Sequence, residues 1–351
     1  MDKMKLKAFI IISLCLIFPI FSAACSRVQN DKLQSTKETR KVIIDTDTGA
    51  DDASALILAA KSGKLDILGV TTLVGNVGLD QSTKNALSAL EIAGYSAPVY
   101  QGSSENYKGK KIEAKSVFGS DGMGDADLIK TTSKAEPENA IDFILNTVKQ
   151  NPNDVEIISL GPATNIAKAI ERDPETMKKV KMIWSMGTAG LGSGNASPVA
   201  EFNVYADPDA YKVMLDSGVN ITVIGLNMCG DEAMWTDEQF AKLKKSGEIG
   251  KFIDASFSKI REFYASNQSS GKVMNCDALA MMCVINPDFV KDTVKCHGSC
   301  ITTKGETFGE VIFYKEGFNY DVAKNDFDYN VSLINDVDKA NYFNLYLKTI
   351  K

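Results

Sequence analysis

From Lys41 onward, short β-branched runs alternate with stretches in which apolar residues recur at helical spacing. That is the pattern of strands joined by crossover helices in a mainly parallel sheet. The strands read as Val42 to Asp45, Ile67 to Val74, Val99 to Gln101, Val155 to Leu160, Met182 to Met186 and Ile221 to Gly225. Between the first two, Ala53, Leu56, Ile57 and Ala60 mark one helix face and Gly63 suits its stop; Ala86, Leu87, Leu90 and Ala93 mark the next face, closed by Gly94. Further helices are expected at Ala163 to Arg172 behind Pro162, and at Pro208 to Asp216, Asp237 to Lys245, Ile249 to Ala265 and Asp338 to Lys348. No internal repeat or second linker interrupts the pattern, so one α/β domain is expected over residues 41–351, an open, mostly parallel sheet flanked by helices.

The N-terminus differs. Lys3, Lys5 and Lys7 precede the apolar run Ala8 to Phe21, which ends in Ser22, Ala23 and Ala24. This is the pattern of an export signal over residues 1–24, too short and too interrupted by Pro19 to read as a span. Cys25 follows at once, as in a bacterial lipoprotein signal, and residues 25–40 read as a polar tether. The expected location is therefore the outer face of a bacterial membrane, with Cys25 lipidated, or secretion if it is not.

The net charge of −6 becomes more acidic once three lysines and Asp2 leave with the signal. No basic stripe interleaved with aromatics offers a surface for nucleic-acid polymers. Of seven cysteines, Cys229, Cys276, Cys283, Cys296 and Cys300 remain beyond Cys25, an odd number that gives no disulfide framework. Cys296 and Cys300 flank the only histidine, His297, but lack a fourth zinc ligand, and burial is expected of them.

Ligands of such sheets bind beyond the C-terminal strand ends. Polar clusters fall there: Asp45 to Asp52, Gly75-Asn76, Leu160-Gly161-Pro162 and Gly187-Thr188. Asp45, Asp47, Asp51 and Asp52 are expected to converge, and crowded carboxylates call for a hard cation such as calcium or magnesium. Helix capping accounts for one or two of the four. An EF-hand does not fit, because Ala50 and Leu56 stand where its glycine and glutamate belong. Asp45 as nucleophile with Asp47 as acid gives an alternative, a haloacid-dehalogenase-type phosphatase.

The motif D-x-D-x-G-x-D-D from Asp45 to Asp52 is followed in order by VTTLVGN, GSDGMGDAD, LGPATNIA, GNASPVAEFNVYADPDA and NCDALA. With Thr48 at the position that is usually Pro, this series resembles the inosine-uridine-preferring nucleoside hydrolase family over residues 41–350. The resemblance implies a Rossmann-like fold and calcium-dependent hydrolysis of ribonucleosides to free base and ribose. It implies calcium held by Asp47, Asp52, the carbonyl of Leu160 and Asp277, with Asp47 as general base. Asp51, Asn76, Asn195, Glu201 and Asn203 would hold the ribose hydroxyls, and a homodimer or homotetramer is expected. Many members carry histidines where this chain has Phe118 and Cys276. Cys276 is therefore the candidate proton donor to the leaving base, with Tyr264 as another; Trp184, Trp235, Phe118 and Tyr264 are candidate stacking partners. A nucleoside- or ribose-binding lipoprotein with little catalysis is the other alternative.

Overall fold

β1, Arg40–Thr46, is a strand because Val42, Ile43 and Ile44 are β-branched and buried on both faces, as in the middle of a parallel sheet. It belongs to a computed structural model that describes residues 39–267, 271–318 and 327–351; the export signal, Cys25 and the tether as far as residue 38 lie outside the described residues. Helix Ala50–Lys61 leads to β2, Leu65–Thr72, and helix Leu79–Ala93 closes on Gly94 at φ +66° before β3, Val99–Gln101. β4, Val155–Ser159, β5, Met182–Met186, and β6, Ile221–Ile224, follow, each behind a helix. β7, Trp235–Thr236, and β8, Lys272–Val273, pair antiparallel as a small separate sheet. β9, Val290–Cys300, β10, Val311–Lys315, and β11, Val331–Val337, complete the large sheet.

Among the described residues its nine strands run in the order β10-β9-β11-β6-β5-β4-β1-β2-β3. β1 to β6 and β11 are parallel, and β9 is antiparallel to both β10 and β11. The mostly parallel α/β sheet expected from the pattern is therefore present. The chain builds outward from β1 through β2 to β3, then returns to lay β4 on β1's other side. Such a reversal opens a crevice at the carboxyl ends of the two strands. At that end the Leu160 N–H donates to the Asp45 carbonyl at 2.8 Å, which keeps the two strand ends in register.

Two apolar layers cover the sheet. Helices Ala50–Lys61, Leu79–Ala93, Cys276–Ile285 and Tyr342–Ile350 share one; Ala140–Gln150, Thr164–Arg172 and Pro208–Leu215 share the other. Three expectations need correction. The helix expected over Ile249 to Ala265 divides into Glu248–Ser256 and Ser258–Asn267, because the chain turns at Phe257 to bury that ring against Trp235 and Phe240. The last helix begins at Tyr342, after a short 3-10 turn. The strand begins at Arg40, so the tether ends before it. Cys296 and Cys300 are buried on β9, while His297 faces the other way beside Phe327, as alternation along a strand requires. Among the described residues no helix is long and apolar enough to cross a membrane.

Candidate active site

β1 stops at Thr46, so Asp47 leaves the extended geometry and no longer shares a face with Asp45. Asp45 is correspondingly out of the acidic group: its Oδ1 accepts from Thr71 Oγ1 at 2.5 Å and from Asn165 Nδ2 at 2.8 Å, and burial raises its pKa to about 6. This corrects the expectation of four converging carboxylates. It also removes the nucleophile that a phosphatase would need, because Asp45 is fully buried and does not line the cavity beyond the strands.

Gly49 caps helix Ala50–Lys61, and Asp52 folds back on it, accepting from the Gly49 N–H at 2.9 Å. Thr46 Oγ1 and Asn76 Nδ2 donate to the same carboxylate at 2.6 and 2.8 Å. Asp277 stands in the first turn of helix Cys276–Ile285. Asp51, Asp52 and Asp277 thus bring carboxylate oxygens within 4.8 Å of one another, at two helix N-termini whose dipoles favour negative charge.

Asp47 is held more narrowly. A Cβ at Gly75 would lie 2.0 Å from its Oδ2, and one at Gly161 2.5 Å from its Oδ1, so the carboxylate fits only between two glycines. Oδ2 accepts from the Asn76 N–H at 2.6 Å, while Oδ1 is buried with no hydrogen-bond partner. Burial, and next the charge of Asp52, pushes Asp47 well above the usual carboxylate range. Burial followed by Asp51 does the same to Asp277, and burial followed by Asp52 raises Asp51 to about 8. Carboxylates so placed are stable in their charged form only beside a cation. An all-oxygen donor set with an open acceptor suits a hard divalent ion, so the residues fit a metal.

A cavity of about 670 Å³ opens above this cluster. Asn195, Glu201 and Asn203 line it. Glu201 caps the short helix Phe202–Ala206, taking N–H groups of Asn203 and Val204, and a third from Thr188, whose φ of +73° is strained for a β-branched residue. Burial raises its pKa to about 7. Asn195 Oδ1 accepts from the Phe202 N–H at 2.9 Å, and Asn203 Nδ2 donates to the Leu160 carbonyl at 2.7 Å. Phe118, Ile260, Phe263, Tyr264, Met274 and Cys276 also line the cavity. A hydrogen bond with Cys229, then burial, lifts the Cys276 thiol well above its usual range; burial followed by Cys276 and Asp51 lifts the Tyr264 hydroxyl. Both groups are protonated at neutral pH.

The inosine-uridine preferring nucleoside hydrolase family model matches residues 42–344. The chain belongs to this family. It is 38% identical over 252 residues to a probable uridine nucleosidase 1 of Oryza sativa subsp. japonica, covering 71% of this chain and 78% of that one. It is 32% identical over 281 residues to the pyrimidine-specific ribonucleoside hydrolase RihB of Escherichia coli O9:H4 (strain HS), covering 78% and 87%. Among solved structures, the plant nucleoside hydrolase PpNRh1 superposes with a TM-score of 0.82 at 30% identity, over 89% of this chain and 99% of that one. A purine-preferring ribonucleoside hydrolase from Gardnerella vaginalis gives 0.81 at 28%, over 89% and 98%.

In this nucleoside hydrolase the residues singled out from sequence, Asp51, Asn76, Leu160, Asn195, Glu201, Asn203, Cys276 and Asp277, all line one cavity, with Asp47 and Asp52 buried beneath it. Asn76 and Asn203 use their amides on Asp52 and Leu160. Phe118 and Tyr264 line the cavity, but the two tryptophans do not. Trp235 is buried among Phe240, Phe257, Tyr342 and Tyr346, and Trp184 donates to Glu156 near the start of β4. Sequence reasoning missed Asn227, Ile260 and Met274. For Asn227 a signal existed, its place just beyond β6; Ile260 and Met274 looked like ordinary core.

Proposed function

We propose that this nucleoside hydrolase cleaves the N-glycosidic bond of ribonucleosides with the aid of calcium, and that uridine and related pyrimidine nucleosides are its preferred substrates. The observation that carries the reading is the Asp47 carboxylate, fixed between Gly75 and Gly161 with its buried Oδ1 lacking any hydrogen-bond partner.

Asp47, Asp52, the Leu160 carbonyl and Asp277 would hold the ion, which when bound supplies positive charge to gather vicinal ribose hydroxyls and lower the pKa of the attacking water. Asp47 takes the proton of that water as its oxygen attacks the anomeric carbon. The C–N bond breaks with its electron pair going to the base, and positive charge builds on the ribosyl ring. Asp51 and Glu201 stabilise that charge and, with Asn76, Asn195 and Asn203, hold the sugar hydroxyls. Cys276 delivers a proton to the departing base. The preference for pyrimidines is supported by the named relatives and by a base side without an indole platform.

The run from Lys3 to Cys25 supports export with lipidation at Cys25, residues 25–39 acting as the tether. The fold family supports a homodimer or homotetramer. Loss of metabolic palmitate label from a Cys25→Ala chain, and the mass of the purified domain by light scattering, test these two readings. The decisive assay incubates the domain with a panel of ribonucleosides and measures reducing sugar, with and without chelator. No release of ribose from any of them would overturn the hydrolase reading; release that ignores the chelator would overturn the calcium reading.

A further inference from the structure

Asp51 and Asp52 ride on one helix and Asp277 on another, and carboxylate oxygens of the three lie within 4.8 Å of one another. Two residues beyond Asp52 lies Ser54; two before Asp277 lies Asn275. The Asn275 side-chain amide donates to Ser54 Oγ at 2.9 Å, and both residues are at most 1% exposed. This bond joins the two helices at the level of the carboxylates. The C-terminal helix Tyr342–Ile350 fastens it from behind. Tyr346 and Ser54 hydroxyls are 2.7 Å apart, the Tyr346 hydroxyl donates to the Ser54 carbonyl at 3.2 Å, and the Tyr342 hydroxyl donates to the Asn275 carbonyl at 2.9 Å. One set of protons satisfies all of these: Tyr346 gives to the Ser54 carbonyl, Ser54 to the Tyr346 oxygen, and Asn275 to Ser54 Oγ. Tyr342 and Tyr346, four apart, present one helix face, and their rings pack on Trp235 with centroids 5.8 and 4.8 Å away. The three hydroxyls of this apolar layer are all paired, while Asn275 Oδ1 and Trp235 Nε1 beside them are buried without a partner.

We infer that the Ser54–Asn275 hydrogen bond, backed by Tyr342 and Tyr346, is a clamp that holds Asp52 and Asp277 at metal-binding separation before a cation arrives. The inference rests on the proposed calcium reading. None of the four residues lines the cavity; they are positioning residues, and their effect is on cation affinity. Loss of outer hydrogen bonds to a metal site lowers affinity about 10- to 100-fold.

The test is calorimetric titration of calcium into the metal-free protein, for wild type, Ser54→Ala and Tyr346→Phe. Ser256→Ala, which removes another buried hydroxyl bonded to the Ile253 carbonyl at 3.0 Å, shows what loss of stability alone does. The dissociation constant is expected to rise about tenfold in Ser54→Ala and Tyr346→Phe and to stay unchanged in Ser256→Ala. At saturating calcium, kcat for uridine should stay within about threefold of wild type in the two clamp variants, as expected when only the cation's capture is weakened. Wild-type affinity in both clamp variants, or an equal loss in Ser256→Ala, overturns the clamp. Should Ser54→Ala fail to fold, Tyr346→Phe decides alone. A wild-type protein that takes up no calcium refutes the calcium reading itself, a result separable from the clamp because it precedes any variant.

Discussion

The side-chain amide of Asn203 donates to the carbonyl of Leu160 at 2.7 Å. A residue assigned to the sugar therefore also orients the carbonyl assigned to the ion, and its second acceptor, the Met186 carbonyl at 3.2 Å, ties both to the end of β5. Asn203→Ala should accordingly raise the KM for uridine and weaken calcium binding together, each by roughly 5- to 100-fold, the range of one lost buried hydrogen bond. Steady-state kinetics across a calcium series separates this from a sugar contact alone, for which the calcium requirement would not move.

Asp47 is both acceptor and ligand in the proposed chemistry. Asp47→Asn retains the shape between Gly75 and Gly161 but removes the basic oxygen, so kcat should fall at least about 10³-fold. Single-turnover release of ribose measures it. Near-normal turnover would show that the base lies elsewhere.

Gly75 bears on the same carboxylate through its Oδ2. With a Cβ 2.0 Å from Asp47 Oδ2, Gly75→Ala must displace the carboxylate. We expect loss of most activity with about 1–3 kcal/mol of destabilisation, typical of overpacking. Circular dichroism that remains native while turnover is lost would match the expectation; wild-type turnover would contradict it.

The acidic cluster gives stability an inverted pH dependence when no cation is bound. Asp51 is raised from 3.8 to about 8, and Asp277 also lies well above its ordinary value, so the folded chain binds more protons than the unfolded one between those limits. Stability is then greatest near the acid end of that window and falls as pH rises toward about 8. Thermal unfolding in chelator should show Tm dropping over this interval, and saturating calcium should abolish most of the drop. A metal-free Tm that climbs with pH would contradict the sign.

Cys276 is protonated, but its elevated pKa makes it a reluctant acid. If it nonetheless serves the leaving base, Cys276→Ala should slow uridine and inosine hydrolysis by about 10- to 100-fold, while Tyr264→Phe has the smaller effect. Unchanged rates in Cys276→Ala with a large loss in Tyr264→Phe would transfer the role to the tyrosine.

The readable parts of the fold were those in which one local cause dominates. β3 and β5 fall on their expected bounds because β-branched or apolar runs are cut off by loop residues at both ends. Helix Cys276–Ile285 carries no such mark: all ten of its residues are buried, so it has no polar face to set a helical period. β9 reads poorly for the opposite reason, since VKDTVK is largely exposed. At the site, residue types and order revealed Asp47, Asp52 and Asp277, but Asp45 was misjudged because strand periodicity was carried one residue past the strand's end. The link from Tyr346 to Ser54 spans 292 residues and leaves no local trace.

The direction of β1 bears on how the protein can be held. Arg40 opens the strand, fastened to Glu156 and to the Val284 carbonyl and lying 5.6 Å from the Trp184 ring, while Asp47 follows its far end. Seven residues of strand put roughly 20 Å between the two. A bead, a tag or an acyl chain attached ahead of Arg40 therefore pulls on the rear of the sheet, and the strain is borne by the half-buried Arg40–Glu156 ion pair there rather than by the loops that form the cavity. Immobilised from this end, the enzyme should keep the turnover it has in solution.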